Sequence, residues 1–202
     1  MSELVGFNPQ IDLTKEQYKR IGSFKHNFME AEGITNVPWE ALVGIWYRES
    51  FSVAPPKTPG GPFQFDPPLT HAQIFNLLAK FTTLQQDQLE NHAQSGVNDF
   101  RTALLCCACW LRAKCKPIIT PQSSDVDIKD AMYGYNGRAY GSVENSPYVM
   151  NGYSRKHIGP DGAGMRFSGT IPDGHGGRKK VSGSDRRPGA FTIYALLKSK
   201  SL

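Results

Sequence analysis

No stretch of this chain approaches the roughly 20 consecutive apolar residues that a membrane-spanning helix needs. Its opening residues, Met1-Ser2-Glu3-Leu4-Val5-Gly6, lack the basic head and apolar run of a secretory leader. Neither a membrane span nor a signal peptide is therefore expected. Cysteine is absent outside one short stretch, where Cys106, Cys107, Cys109 and Cys115 crowd together. Neighbours on one helical turn are poorly placed to bridge, and no thiol elsewhere can pair with them. Zinc would call for a histidine ligand pattern nearby, whereas the run Ala103–Leu111 is continuously apolar. These thiols read as buried core side chains in a chain made in a reducing cytoplasm. Internal repeats and useful stretches of strand-period alternation are missing as well, which leaves a mainly α expectation.

What is present suits one globular domain: 202 residues, 39% of them hydrophobic. The formal net charge of +5 is unevenly spread. Residues 151–202 carry 10 Lys and Arg against 3 Asp and Glu, while residues 1–150 carry 13 against 15. A basic C-terminal quarter can meet nucleic acid, anionic lipid or an acidic wall polymer, or it can be a solvated face. The nucleic-acid reading lacks support, because residues 178–187 have no interleaved aromatics and no recognition-helix pattern.

Helix signals punctuate the chain. Thr14 and Gln17 form a capping box opening a helix over about 15–32, closed by Gly33. Asn36-Val37-Pro38 starts a second helix running to about Glu49-Ser50. Six prolines between Phe51 and Pro68 (55, 56, 59, 62, 67 and 68), with Gly60-Gly61, forbid regular structure there. Thr70 and Gln73 mark another capping box, followed by Ile74, Leu77, Leu78, Phe81 and Leu84 at helical spacing. The next helix, about 99–115, is apolar nearly all round and is expected in the middle of the domain. Further helices are predicted over 125–135, from Ser146-Pro147 to about His157, and over Ala190–Leu197. Residues 159–189 read as loop.

The chemistry concentrates in Trp39-Glu40-Ala41-Leu42-Val43-Gly44-Ile45-Trp46-Tyr47-Arg48-Glu49-Ser50. Glu49 ends an apolar stripe, where burying an ionised carboxylate is expensive. Desolvation and the negative end of the helix both favour its protonated form, the form a general acid needs. The helix alone is equally compatible with an exposed Glu49, or one paired with Arg48 or another cation.

The order of Arg48-Glu49-Ser50, then Gly61-Pro62-Phe63-Gln64, then Tyr135-Asn136-Gly137 resembles the goose-type lysozyme and lytic transglycosylase superfamily. That family's pattern runs Glu-Ser, Gly-x-x-Gln, Ala-Tyr-Asn-x-Gly. The resemblance covers residues 38–155, and Ser146-Pro147-Tyr148-Val149 is similar to the start of the family's next helix. Pro62-Phe63 stand where Leu-Met is commoner, and Gly134 where Ala usually precedes the tyrosine. The resemblance implies a lysozyme-like α-helical domain over residues 1–158 with a small irregular Pro/Gly-rich lobe. Residues 159–202 are then a basic loop and a closing helix packed on the same domain.

The resemblance also implies an activity: cleavage of the β-1,4 bond between N-acetylmuramic acid and N-acetylglucosamine in peptidoglycan, with Glu49 as acid and base. Tyr135 would hydrogen-bond Glu49 or the substrate N-acetyl group. Ser50, Gly61, Phe63, Gln64 and Asn136 fall at substrate-binding positions. Otherwise Tyr135 is a core tyrosine and Asn136 a helix cap. Trp39 and Trp46 could face sugars but read as core. Asp66 resembles the acidic residue that orients water in goose-type lysozymes, or else caps a turn before Pro67-Pro68. A single suitable carboxyl group favours a transglycosylase, and a water-positioning Asp66 would make a muramidase.

No metal or organic cofactor is expected. Asp173-Gly174-His175-Gly176-Gly177 reads as surface loop, without partner ligands at convincing spacing for His157 or His175. A wall enzyme without a leader fits a bacteriophage protein made in the host cytoplasm, acting as endolysin or as a virion-associated component with other tail proteins. A lysozyme fold kept without catalysis, as a structural tail part, is the alternative from another class.

Overall fold

The computed structural model describes residues 4–50, 60–114, 118–136, 140–160, 162, 164–172 and 177–200. The expectations resting on Cys115, Gly137, His175 and the prolines at 55, 56 and 59 lie outside the described residues. The chain is mainly helical: α1 (Lys15–Thr35), α2 (Trp39–Glu49), α3 (His71–Phe81), α4 (Gln86–Ser95), α5 (Phe100–Lys114), α6 (Asp125–Tyr135), α7 (Pro147–Met150) and α8 (Ala190–Ser199). Strands β1 (Met165–Pro172) and β2 (Arg178–Asp185) pair antiparallel as a hairpin between α7 and α8.

Local chemistry sets the helix starts. Both threonine capping boxes are formed: Thr14 and Gln17 exchange side-chain and backbone bonds at the head of α1, as do Thr70 and Gln73 at α3. Helix α1 runs two residues past Gly33, to Thr35, with Asn36 in the left-handed conformation as its cap.

Helix α5 is buried from Thr102 to Cys109 and again at Leu111, and packs against α1, α3 and α6. Cys106, Cys107 and Cys109 are buried free thiols within it, and burial pushes Cys109 up to about 12. Arg112, near its end, donates to the terminal carbonyls of two other helices, Thr35 of α1 at 3.0 Å and Phe81 of α3 at 2.7 Å.

The closing helix α8 is buried from Ala190 to Leu197 and packs on α2. Gly44 permits this approach, since the Ala190 carbonyl occupies the space where a Cβ would stand. The C-terminal segment therefore completes the core around the helix that ends in Glu49.

Two expectations are corrected and one helix is added. Residues 159–189 are not all loop but contain the β hairpin: its first strand alternates apolar Met165, Phe167 and Ile171 with polar residues, but its second has Val181 as its one apolar residue, so the pair gives a weak combined signal. Residues 86–95 form a separate helix, α4, which buries only Leu89 and Ala93 and so has a faint stripe. The helix from Pro147 stops at Met150 rather than near His157. Asn151 leaves helical geometry (ψ 125°), and only a 3-10 turn, Arg155–His157, follows.

Candidate active site

Glu49 is the last residue of α2, and the Ser50 N–H closes the helix on the Trp46 carbonyl at 2.9 Å. The preceding apolar residues, Leu42, Val43, Ile45 and Trp46, are buried and fix the direction in which the helix ends. The carboxyl of Glu49 is raised above the ordinary range by desolvation first. A hydrogen bond from the Tyr148 hydroxyl at 2.6 Å and the positive charges of Arg48 and Arg187 pull it down, but burial prevails. Among the described residues, the charges acting on this carboxyl are both cationic.

Tyr148 comes from α7 and is buried. Its hydroxyl is held well above the usual range by burial and then by the charge of Glu49, so it remains a donor. The Arg48 guanidinium lies 5.2 Å from the centre of its ring. Arg48, only 5% exposed, bonds Asp185 at 2.5 Å and the carbonyls of Arg187 at 3.1 Å and Pro188 at 3.4 Å. Arg187 returns a bond to the Arg48 carbonyl at 3.2 Å. Burial, the largest single influence, would raise Asp185, but the hydrogen bond and charge of Arg48, with the N–H and charge of Arg187, together outweigh it and hold the carboxyl below the usual range. The base of the hairpin thereby clamps the residue beside Glu49.

Fully buried Asn151 locks this clamp. Its amide donates to the carbonyls of Asp185 and Arg187, each at 2.7 Å, and its oxygen accepts from the Met165 N–H at 2.6 Å.

Gly61-Pro62-Phe63 form a 3-10 turn against the end of α2, and Gln64 follows in the left-handed conformation. Gly61 has φ +67°, and the Val97 carbonyl fills its Cβ position, so only glycine fits. The exposed Gln64 donates its amide to the backbone carbonyl of Glu49, capping the free end of α2. The glycine and the glutamine thus sit beside the glutamate.

Phe63 does not offer a face to a ligand: it is 1% exposed and packs toward Phe100. Its expected substrate contact is corrected, because the turn directs the ring inward. Ser50 is also buried. Trp39 and Trp46 are core, as read.

Tyr135 lies close enough for Glu49 to raise its hydroxyl, although burial is the larger cause. The hydroxyl donates to the Phe63 carbonyl at 2.9 Å, so the expected bond to Glu49 belongs to Tyr148. Tyr135 instead ties α6 to the glycine turn. Asn136, half-buried, stands at the C-cap of α6, its N–H on the Met132 carbonyl at 3.2 Å.

Asp66 is exposed and lines a groove of about 470 Å³ with Phe65, Leu69, Lys80, Phe81 and Trp110, among others. Neither Glu49 nor Tyr148 lines that groove. At this point the chain has turned toward α3 and Trp110, whose ring meets Phe65 edge-on at 6.4 Å.

The role of Tyr148 escaped sequence reasoning, although Tyr148-Val149 had been noticed as a helix start. Asn151 gave no signal. Among the described residues, no three His, Cys, Asp or Glu side chains gather as a metal-binding group. His157 is buried and bonds Glu144 at 3.0 Å and Ser154 at 2.9 Å. Burial lowers its pKa and the Glu144 contact opposes this.

The fold and site define a mainly helical protein whose central helix ends in a desolvated carboxyl group gripped by a tyrosine. Comparison of the chain with protein-family models, curated proteins and solved structures finds no match.

Proposed function

We propose that this protein cleaves the glycan strands of peptidoglycan between N-acetylmuramic acid and N-acetylglucosamine as a lytic transglycosylase, with a lysozyme-like use of its helices. One observation carries the reading: desolvation raises the Glu49 carboxyl above the ordinary carboxylate range, while Tyr148 donates to that carboxyl and Gln64, from the glycine turn, to the main-chain carbonyl of the same residue.

Protonated Glu49 gives its proton to the glycosidic oxygen as the bond to C1 of the muramic acid breaks, through an oxocarbenium-like state. The resulting carboxylate is stabilised by the Tyr148 hydroxyl and by Arg48 and Arg187. It then takes the proton of the C6 hydroxyl while that oxygen bonds to C1. The products are a 1,6-anhydro sugar and a free 4-hydroxyl, and Glu49 is protonated again. Water is not consumed.

The protein is made in the cytoplasm of a bacterial host and acts on the wall as a bacteriophage endolysin or virion component. Incubation with purified peptidoglycan, followed by mass spectrometry of the released muropeptides, tests the reaction. Anhydro ends are expected. Reducing ends would make the enzyme a muramidase, and no release would discard the reading. Asp66→Asn is expected to leave the rate within about twofold, in line with its place outside the Glu49 cluster.

A further inference from the structure

The register of the hairpin sorts its side chains onto two unlike faces. Residues directly paired across an antiparallel ladder share a face, and alternate residues along a strand return to it. The pairs Arg166–Ser184, Ser168–Ser182 and Thr170–Lys180 therefore lie on one side, together with Arg178. Arg166, Arg178, Lys180, Ser168, Ser182 and Ser184 are all exposed. Arg178 is braced by the Thr170 carbonyl at 3.0 Å and the Thr170 hydroxyl at 3.3 Å.

The opposite face leans on the body of the protein at Phe167 and Gly169, although Lys179 and Gly183 on it are exposed. Phe167 meets Tyr140 edge-on at 5.2 Å, and Gly169 lies against Tyr140. Asp185, the carboxylate of the described hairpin, belongs to that covered face through its pairing with Met165, and is held by Arg48. The exposed face is thus cationic at Arg178 and Lys180 and hydroxylated along its middle, while Arg166 at the other end shares a pocket with Glu144.

We infer that this face binds an anionic polyol-phosphate polymer of the cell envelope, a chain of phosphodiesters joined through alditols. Guanidinium and ammonium groups match the phosphates, and serine hydroxyls match phosphate oxygens and polyol hydroxyls. Arg178 and Lys180 stand two residues apart on β2, about 7 Å along the strand, on the scale of one extended alditol-phosphate repeat. Single-stranded nucleic acid carries similar charge but gains affinity from bases stacked on aromatic rings. The ring of this hairpin, Phe167, is on the covered face instead. The choice of an envelope polymer over other phosphodiesters rests on the proposed peptidoglycan activity, while the binding face itself does not. Its place at the Arg48 clamp would let a wall-anchored polymer hold the enzyme beside its substrate.

The test measures binding of the full chain to immobilised poly(glycerol phosphate), at about 50 and 200 mM salt, with polyglutamate, duplex DNA and single-stranded DNA as competitors. The wild type and Glu49→Gln should bind equally, and more weakly at the higher salt. The double variant Arg178→Ser/Lys180→Ser should lose at least about tenfold in affinity at low salt. Lys15→Gln/Lys19→Gln removes the same charge from the exposed start of α1 and should lose less than about threefold. Circular dichroism and the melting temperature verify that each variant is folded. Equal losses in the two double variants, equally effective competition by polyglutamate, or preferred binding of either DNA would overturn the inference. So would no binding by the wild type. Because Glu49→Gln should keep full binding, a failed peptidoglycan digest and a failed binding assay are separate results.

Discussion

The helical centre around Glu49 and the hairpin beside it are built on opposite principles. Helices α2, α5 and α8 bury long apolar runs, and among them ionisable groups whose protonation burial then controls. The hairpin exposes most of β2 and alternate residues of β1, and is attached at its base through Asn151 and the Arg48–Asp185 pair. Burial therefore stabilises the first region residue by residue, whereas the second depends on cross-strand bonds and a few anchoring contacts. The proposed general acid draws on the first kind of environment and the inferred polymer-binding face on the second.

The largest effect is expected at the centre. Glu49→Gln keeps shape and burial but removes the transferable proton, so peptidoglycan release should fall by about a hundredfold or more while the melting temperature is kept. Release at the wild-type rate would end the comparison as drawn.

Next comes the joint between the regions. Asp185→Asn leaves buried Arg48 without its counter-ion and should cost about 3 kcal/mol of unfolding free energy, measured by urea denaturation. Hydrogen exchange should show amides of 165–185 losing protection before those of α2 and α8. Because the folded Asp185 carboxyl is held below its ordinary value, its contribution is present above the unfolded pKa of roughly 3.9. That contribution disappears as pH falls through the lower folded value, so wild type and variant should converge in stability in strong acid.

A smaller loss, about 2 kcal/mol, is expected for Gly61→Ala, which demands a positive φ of an alanine and meets the Val97 carbonyl. The denaturation midpoint checks it. Smallest is Tyr148→Phe, with a rate loss of about tenfold or less. The Tyr148 bond lowers the pKa of Glu49, so its removal should raise that pKa. A general acid works while protonated, hence the alkaline limb of the pH–rate profile should move upward. An unmoved limb would mean that the bond does not govern the carboxyl.

The same contrast explains what could be read beforehand. The threonine caps act within four residues, and their helices began where expected. The burial of α5 was legible from Ala103–Leu111, where no polar face exists to be solvated. The carboxyl at the end of an apolar stripe and the glycine turn with its glutamine were found in order along the chain. The hairpin is hard to read because only its first strand alternates, at Met165, Phe167 and Ile171, while the second is nearly all polar, and α4 because two buried residues make a weak stripe.

The tyrosines set the limit most clearly. Tyr135 and Tyr148 are chemically identical and both follow helix signals, yet Tyr148 reaches Glu49 from 99 residues away while Tyr135 turns to the Phe63 carbonyl. Sequence alone determined most of the helices and their starts, the buried run of α5 and the place of Glu49 at the end of an apolar stripe, because these follow from neighbours within a turn or two. Only tertiary packing decided the donor to that carboxyl, the removal of Asp66 to another groove and the clamping of Arg48 by the hairpin. Those depend on distances between segments far apart along the chain, which no local pattern encodes.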